Sequence, residues 1–200
     1  MNTRNLIPPS ATRLYRLAIL GCAAAITAAP AQAAYHLWNI REAYSDASGA
    51  LQFIEFFDSN PFGGQQFVGG QVINVLNSGG TQSHTFTVPS NLPGDSKNHA
   101  FLIGTAGIHA AGGPTPDFMI PNGFLFTSGT FNYFAQGSGA YTLPTDGVNS
   151  RTWAGGIAPN SPQNFAGQTG FVVVPEPATF ALLGIGAVGF WMLSRRRVTS

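Results

Sequence analysis

Charge is the first thing this 200-residue chain lacks: Asp, Glu, Lys and Arg together make up 8% of it, against about a quarter in ordinary soluble domains. Lysine occurs once, at Lys97, and cysteine once, at Cys22. A chain this poor in lysine has no basic footprint along which a phosphate backbone could lie, so nucleic acid is not an expected partner. One cysteine excludes a disulfide within the chain and every zinc site built on paired thiolates. Between residues 34 and 174 no stretch of ten residues carries the 3.6-residue apolar period of a helix, which excludes an all-α body. Long apolar runs are confined to the two ends.

Near the N-terminus, Arg4, Arg13 and Arg16 precede an apolar or small run, Leu17 to Ala29. Ala31-Gln32-Ala33 then offers a small-x-small site with cleavage before Ala34, the plan of a secretory signal peptide over residues 1–33. The rival is lipidation at Cys22 after Ile19-Leu20-Gly21. Few apolar residues separate Arg16 from Cys22, and the run continues past it, so cleavage at Ala34 is the reading adopted.

Toward the other end, Ala178 to Leu193 contains no charged residue. As a helix it would extend roughly 24 Å, slightly less than the ~30 Å hydrocarbon core. Arg195, Arg196 and Arg197 follow, and the positive-inside rule puts them in the cytoplasm and the preceding body outside. Pro175 and Pro177 do not fit a helix interior, so the transmembrane helix is expected over 178–193.

The order Val174-Pro175-Glu176-Pro177, apolar run, Arg cluster resembles the PEP-CTERM sorting signal of Gram-negative bacteria, covering residues 174–200. The resemblance implies that an exosortase, a membrane-bound cysteine protease, recognises and cuts the tail, and that the inner membrane holds the protein only transiently. It further implies release to the cell surface or the outside, in company with exopolysaccharide. Val174, Pro175, Glu176 and Pro177 are then recognition groups for another enzyme, and Arg195 to Arg197 an orientation cluster.

The exported body, residues 34–173, keeps Arg41, Lys97 and Arg151 against Glu42, Asp46, Glu55, Asp58, Asp95, Asp117 and Asp146, a net charge of −4. It is rich in Gly, Asn, Gln, Ser, Thr and Phe, as suits a secreted β protein with a polar but uncharged surface. Three hairpins are expected from apolar runs around turn-forming residues: 36–44 with 51–57, 67–76 with 82–88, and 130–135 with 140–144. Short strands at this spacing give an all-β sandwich or barrel. "IREAYSDASGALQFIEFFD", Ile40 to Asp58, resembles the opening of lamin-tail-like domains, with "QQFVGGQVI" and "LPGDSKNHAFLIG" following in that family's order. That resemblance implies an immunoglobulin-like β-sandwich with an adhesive or scaffolding role and no catalytic set.

No candidate for chemistry in the body is stronger than its structural explanation. His36, His84, His99 and His109 have no ligand spacing, and His84 alternates with Phe86 and Val88 as a half-buried strand residue would. The nucleophile elbow G-x-S-x-G is absent. Glu42 and Glu55 are expected to meet across the first hairpin, where paired carboxylates could serve glycoside hydrolysis, sit as exposed strand acids beside Arg41, or be the structural acids of the lamin-tail-like pattern that the segment resembles. Asp58 and Asn60 begin a calcium-loop pattern that Phe62 breaks, which leaves only an irregular site on Asp58, Asn60 and backbone carbonyls as the alternative to a plain turn. Trp38, Tyr44, Tyr133, Tyr141 and Trp153 suit a sugar platform or, more simply, a core.

The reading is therefore an exported, non-enzymatic, structural or adhesive β-sandwich without cofactor or metal. Its partners are an exosortase-type protease and exopolysaccharide. The alternative is a secreted carbohydrate-binding or carbohydrate-active protein. N-terminal sequencing of the exported protein should begin at Ala34; a lipid-modified start at Cys22 would refute the signal-peptide reading.

Overall fold

Around Asp46-Ala47-Ser48-Gly49 the two apolar runs pair as expected, giving β1 (Trp38–Ser45) and β2 (Gln52–Asp58) in an antiparallel hairpin. Gly49 takes the positive φ that this turn needs, +71°. The same logic gives β3 (Val72–Asn77) and β4 (Ser83–Thr87). Asn77 closes their turn by accepting from the Thr81 and Gln82 amides at 2.8 and 3.1 Å. The third hairpin is β7 (Ser128–Tyr133) with β8 (Ser138–Thr142). Between these hairpins lie β5 (Ala100–Gly104), a single helical turn α1 (Gly107–Ala110) and β6 (Phe118–Met119). The computed structural model describes residues 35–134, 138–153 and 156–174.

The strands form two sheets. With β9 (Asn149–Thr152) and β10 (Gly156–Pro159), sheet A has the order β10-β9-β1-β2-β5-β6 and sheet B the order β4-β3-β7-β8. Pairing is antiparallel except between β5 and β6, where Ile103 lies beside Phe118. Strands β9 and β10 fall in a region whose sequence shows little periodicity. They are a fourth hairpin, and only two residue pairs of β9 join it to β1.

Two apolar clusters hold this arrangement. The larger lies between the sheets, where Ile40, Ile54, Phe56, Phe101 and Ile103 of sheet A meet Ile73, Val75, Phe131 and Tyr141 of sheet B. Phe56 and Phe101 stack at 4.9 Å, and Trp38 meets Phe101 edge-on at 4.7 Å. The smaller cluster lies on the other face of sheet A: Tyr44, Leu51, Phe53 and Leu102 are covered by Ile108 of α1 and by Val172. Sheet A is thus buried on both faces, sheet B on one. The expectation of an all-β sandwich holds for the described residues.

The signal peptide with its site at Ala31, Ala33 and Ala34, the helix expected over 178–193, and Arg195 to Arg197 lie outside the described residues. Among the described residues, no helix is long and apolar enough to cross a membrane. Removing the ring shared by the Phe56 and Trp38 contacts, with Phe101→Ala, should cost about 3–5 kcal/mol in urea unfolding. Phe62→Ala, at a side chain 89% exposed, should change stability by less than about 0.5 kcal/mol.

Candidate functional site

Alternation along β1 is broken once. The register between β1 and β2 shifts between Ile40 and Glu42, leaving Arg41 as an extra residue. Such a bulge turns two successive side chains to the same face. Ile40 and Ala43 therefore point into the core between the sheets, while Arg41 and Glu42 both stand on the outer face of sheet A. There Glu42 lies directly across from Glu55, as the hairpin reading expects.

The two acids are not exposed, however. Glu42 is 3% and Glu55 0% accessible, because the segment after β10 lies over them. Glu42 accepts hydrogen bonds from the Ser161 amide at 2.9 Å and hydroxyl at 3.3 Å. Glu55 is paired with Arg41, which also donates to Gln163 Oε1 at 3.1 Å and lies 4.9 Å above the Phe57 ring. Burial pushes the Glu55 carboxyl up to about 8; Arg41 pulls against that rise and Glu42 adds to it. The expectation of exposed strand acids is corrected here: the pair is sealed, with both its carboxylates engaged by the chain itself. Glycoside chemistry needs two carboxyl groups flanking a sugar, whereas these two lie beneath the segment after β10.

The remaining candidates resolve into structural contacts. Asp58 is buried, accepting from the Asn60 amide at 2.8 Å and the Ser96 hydroxyl at 2.6 Å, while Asn60 accepts from the Phe62 amide. Both thus shape a turn. His84 stacks on Phe126 at 4.6 Å and contacts the Phe124 carbonyl. His99 contacts the Phe165 carbonyl, and His109 that of Gly113. Among the described residues, no three His, Cys, Asp or Glu side chains are grouped to hold a metal ion. Trp38, Tyr44 and Tyr141 are core residues, and Tyr133 packs on the core partly buried. Trp153 is 37% exposed and, with Asn39, Arg41 and Phe57, lines a pocket of about 390 Å³.

Sequence reasoning did not find Asp117, which is partly buried and accepts from the Leu102 and Phe165 amides at 2.8 and 2.9 Å. Burial raises its pKa, and those two amides oppose the rise. A lone Asp after Pro116 reads as a turn residue, so nothing local marked it.

The segment that leads to the Pro-Glu-Pro motif is itself bound to the body. Asn160 clasps Val172 on both backbone groups, accepting from its amide at 2.7 Å and donating to its carbonyl at 2.9 Å. The Val173 amide donates to Ala111 at 2.8 Å. Val174 lies against Gly147, where a Cβ would stand 2.7 Å from a Val174 methyl, and φ there is +78°, so glycine is required twice over. Val174 also helps line a groove of about 430 Å³ with Leu51, Gly107 and Ala111.

The Glu55 shift carries a consequence for stability. A carboxyl whose pKa is higher in the folded state binds a proton more tightly there, so stability falls as pH rises from its ordinary 4.5 to about 8, and levels off beyond. Glu55→Gln has no such proton to lose. Denaturant unfolding across that pH range should show a declining midpoint for the native protein and a flatter profile for the variant.

Residues 173–197 match the PEP-CTERM protein-sorting motif, a stretch that begins on the bound segment at Val173 and includes Val174, Pro175, Glu176 and Pro177. Neither a curated protein nor a solved structure matches the chain.

Proposed function

We propose that this is an exported protein sorted and cut by an exosortase-type membrane protease, held transiently at the inner membrane by its tail. Its body has a structural or adhesive, non-enzymatic role at the cell surface or in an exopolysaccharide matrix. The match of residues 173–197 to the PEP-CTERM sorting motif carries the sorting part of this reading. The bound segment supports it, since Val173 and Val174, with which the matched stretch begins, are held against a folded β body. The resemblance of Ile40 to Asp58 to the opening of lamin-tail-like domains supports an immunoglobulin-like body of the adhesive kind, and the two-sheet architecture is compatible with it. The sealing of Glu42 and Glu55 favours the non-enzymatic reading over a carbohydrate-active one.

The test is mass spectrometry of the protein from a host that carries the exosortase. The mature chain should keep Val172 to Val174 and lack the residues after the Pro-Glu-Pro region. Replacing Pro175, Glu176 and Pro177 together by alanine should leave full-length protein in the inner membrane. A C-terminus intact through Ser200 in the native protein would overturn the reading.

A further inference from the structure

None of the ten acidic and basic residues between 35 and 174 lies in a strand of sheet B. Arg41, Glu42, Glu55, Asp58 and Arg151 lie in strands of sheet A. Asp46, Asp95, Lys97, Asp117 and Asp146 lie in loops that lead into its strands. The four strands of sheet B contain none, and neither does any residue from 59 to 94 or from 118 to 145. The outward face of sheet B is consequently a four-stranded surface without charge.

Registers fix what that face presents. Ile73, Val75 and Phe131 point into the core, so their neighbours point out. Asn74 is flanked across the strands by Thr85 and Asn132, and Thr130 stands beside Leu76. Thr87 and Thr142 continue the pattern on the edge strands. Hydroxyls and amides thus recur at about 4.8 Å between strands and about 6.8 Å along them. Thr85 donates to Asn74 Oδ1 at 2.8 Å, which fixes the Asn74 amide as an outward donor. β-branched threonine has little rotamer freedom to lose on a strand, which lowers the entropy cost of binding through it.

We infer that this face is a binding surface for neutral polysaccharide, an inference that rests on the proposed matrix role. The excluded alternatives carry the argument. An anionic polymer needs basic groups, and there are none. A protein hot spot is built on Trp, Tyr or Arg, and the face has none of these. A lipid or apolar partner needs a contiguous apolar patch, whereas only Val72, Ala140 and the partly buried Leu76 interrupt the polar side chains. An uncharged polymer dense in hydroxyls matches every group present, since hydroxyl and amide each donate and accept. Single contacts of this kind are weak, and a repeating chain multiplies them.

The test is affinity electrophoresis of the full-length chain in a polyoxyethylene detergent, through gels containing dextran, hydroxyethyl cellulose or alginate. At least one neutral polysaccharide should retard the chain, undiminished at about 0.5 M salt, where charge attractions are screened, and alginate should not. Thr85→Glu with Asn132→Glu, which places charge on both sides of Asn74, should weaken retardation about tenfold or more because desolvated charges would face neutral hydroxyls. Thr87→Glu on the exposed edge replaces that pair if circular dichroism shows the double variant unfolded. Four results would overturn the inference: no retardation by either neutral polymer, retardation by alginate alone, retardation unchanged in the variants, or self-association of the native chain that the variants abolish. The unprocessed chain is used throughout, so failure here leaves the sorting reading standing, and an uncut tail in the host leaves this one standing.

Discussion

Burial of sheet A on both faces is the constraint on which the rest of the structure depends. Two of its inner strands leave almost nothing for solvent: Ala100 to Gly104 are all buried, and so are six of the seven residues of β2. Sheet B covers one face. The other must be covered by whatever chain remains, and what remains is α1 and the segment after β10. That segment is therefore part of the fold, although it contains no strand of its own beyond an isolated bridge between Gln163 and Thr169.

An irregular covering segment brings polar backbone with it, and buried polar groups need partners. Here they are found in acids of sheet A and of the loop before β6. Glu42 takes the Ser161 amide, Asp117 takes the amide of Phe165, and Arg41 reaches Gln163 from beside Glu55. The acids that suggested catalysis in the sequence thus serve as attachment points for the cover. The bulge at Arg41 makes this workable, because without it Arg41 and Glu42 could not share a face. Sheet B faces no such demand. Its outer side is open to solvent, and the charges follow the covered sheet rather than the open one.

Strand pairing was legible in the sequence wherever apolar residues alternate around a turn, and all three expected hairpins are present. Asn149–Thr152 and Gly156–Pro159 were not legible, since "NSRT" and "GIAP" offer no apolar stripe and their pairing follows from position beside β1. The parallel bridge of β6 to β5 is similarly set by tertiary context. Double burial of sheet A did leave a trace: "LQFIEFF" and "HAFLIG" are continuous rather than alternating, the mark of a strand covered on both sides. Glu55 within such a run was the available signal that its carboxyl would be buried. The clasp of Asn160 on Val172 left no trace, because it depends on two side-chain contacts with no periodic pattern.

Magnitudes decide what the attached segment means for the tail. Burying Val172 stabilises the bound state by about 1.5–3 kcal/mol, and the three hydrogen bonds on Val172 and Val173 add roughly 1 kcal/mol each. Together they approach 5 kcal/mol, comparable with the whole stability of a weak domain. A protease that needed an extended substrate upstream of Val174 would have to strip the cover from sheet A and meet that cost. One that reads from Pro175 onward would not. Pro175 has no N–H to donate, so it cannot extend the series of amide donations made by Val172 and Val173. Under the proposed sorting, cleavage beyond Val174 therefore leaves the cover of sheet A, and the hydrogen bonds that hold it, in the mature body.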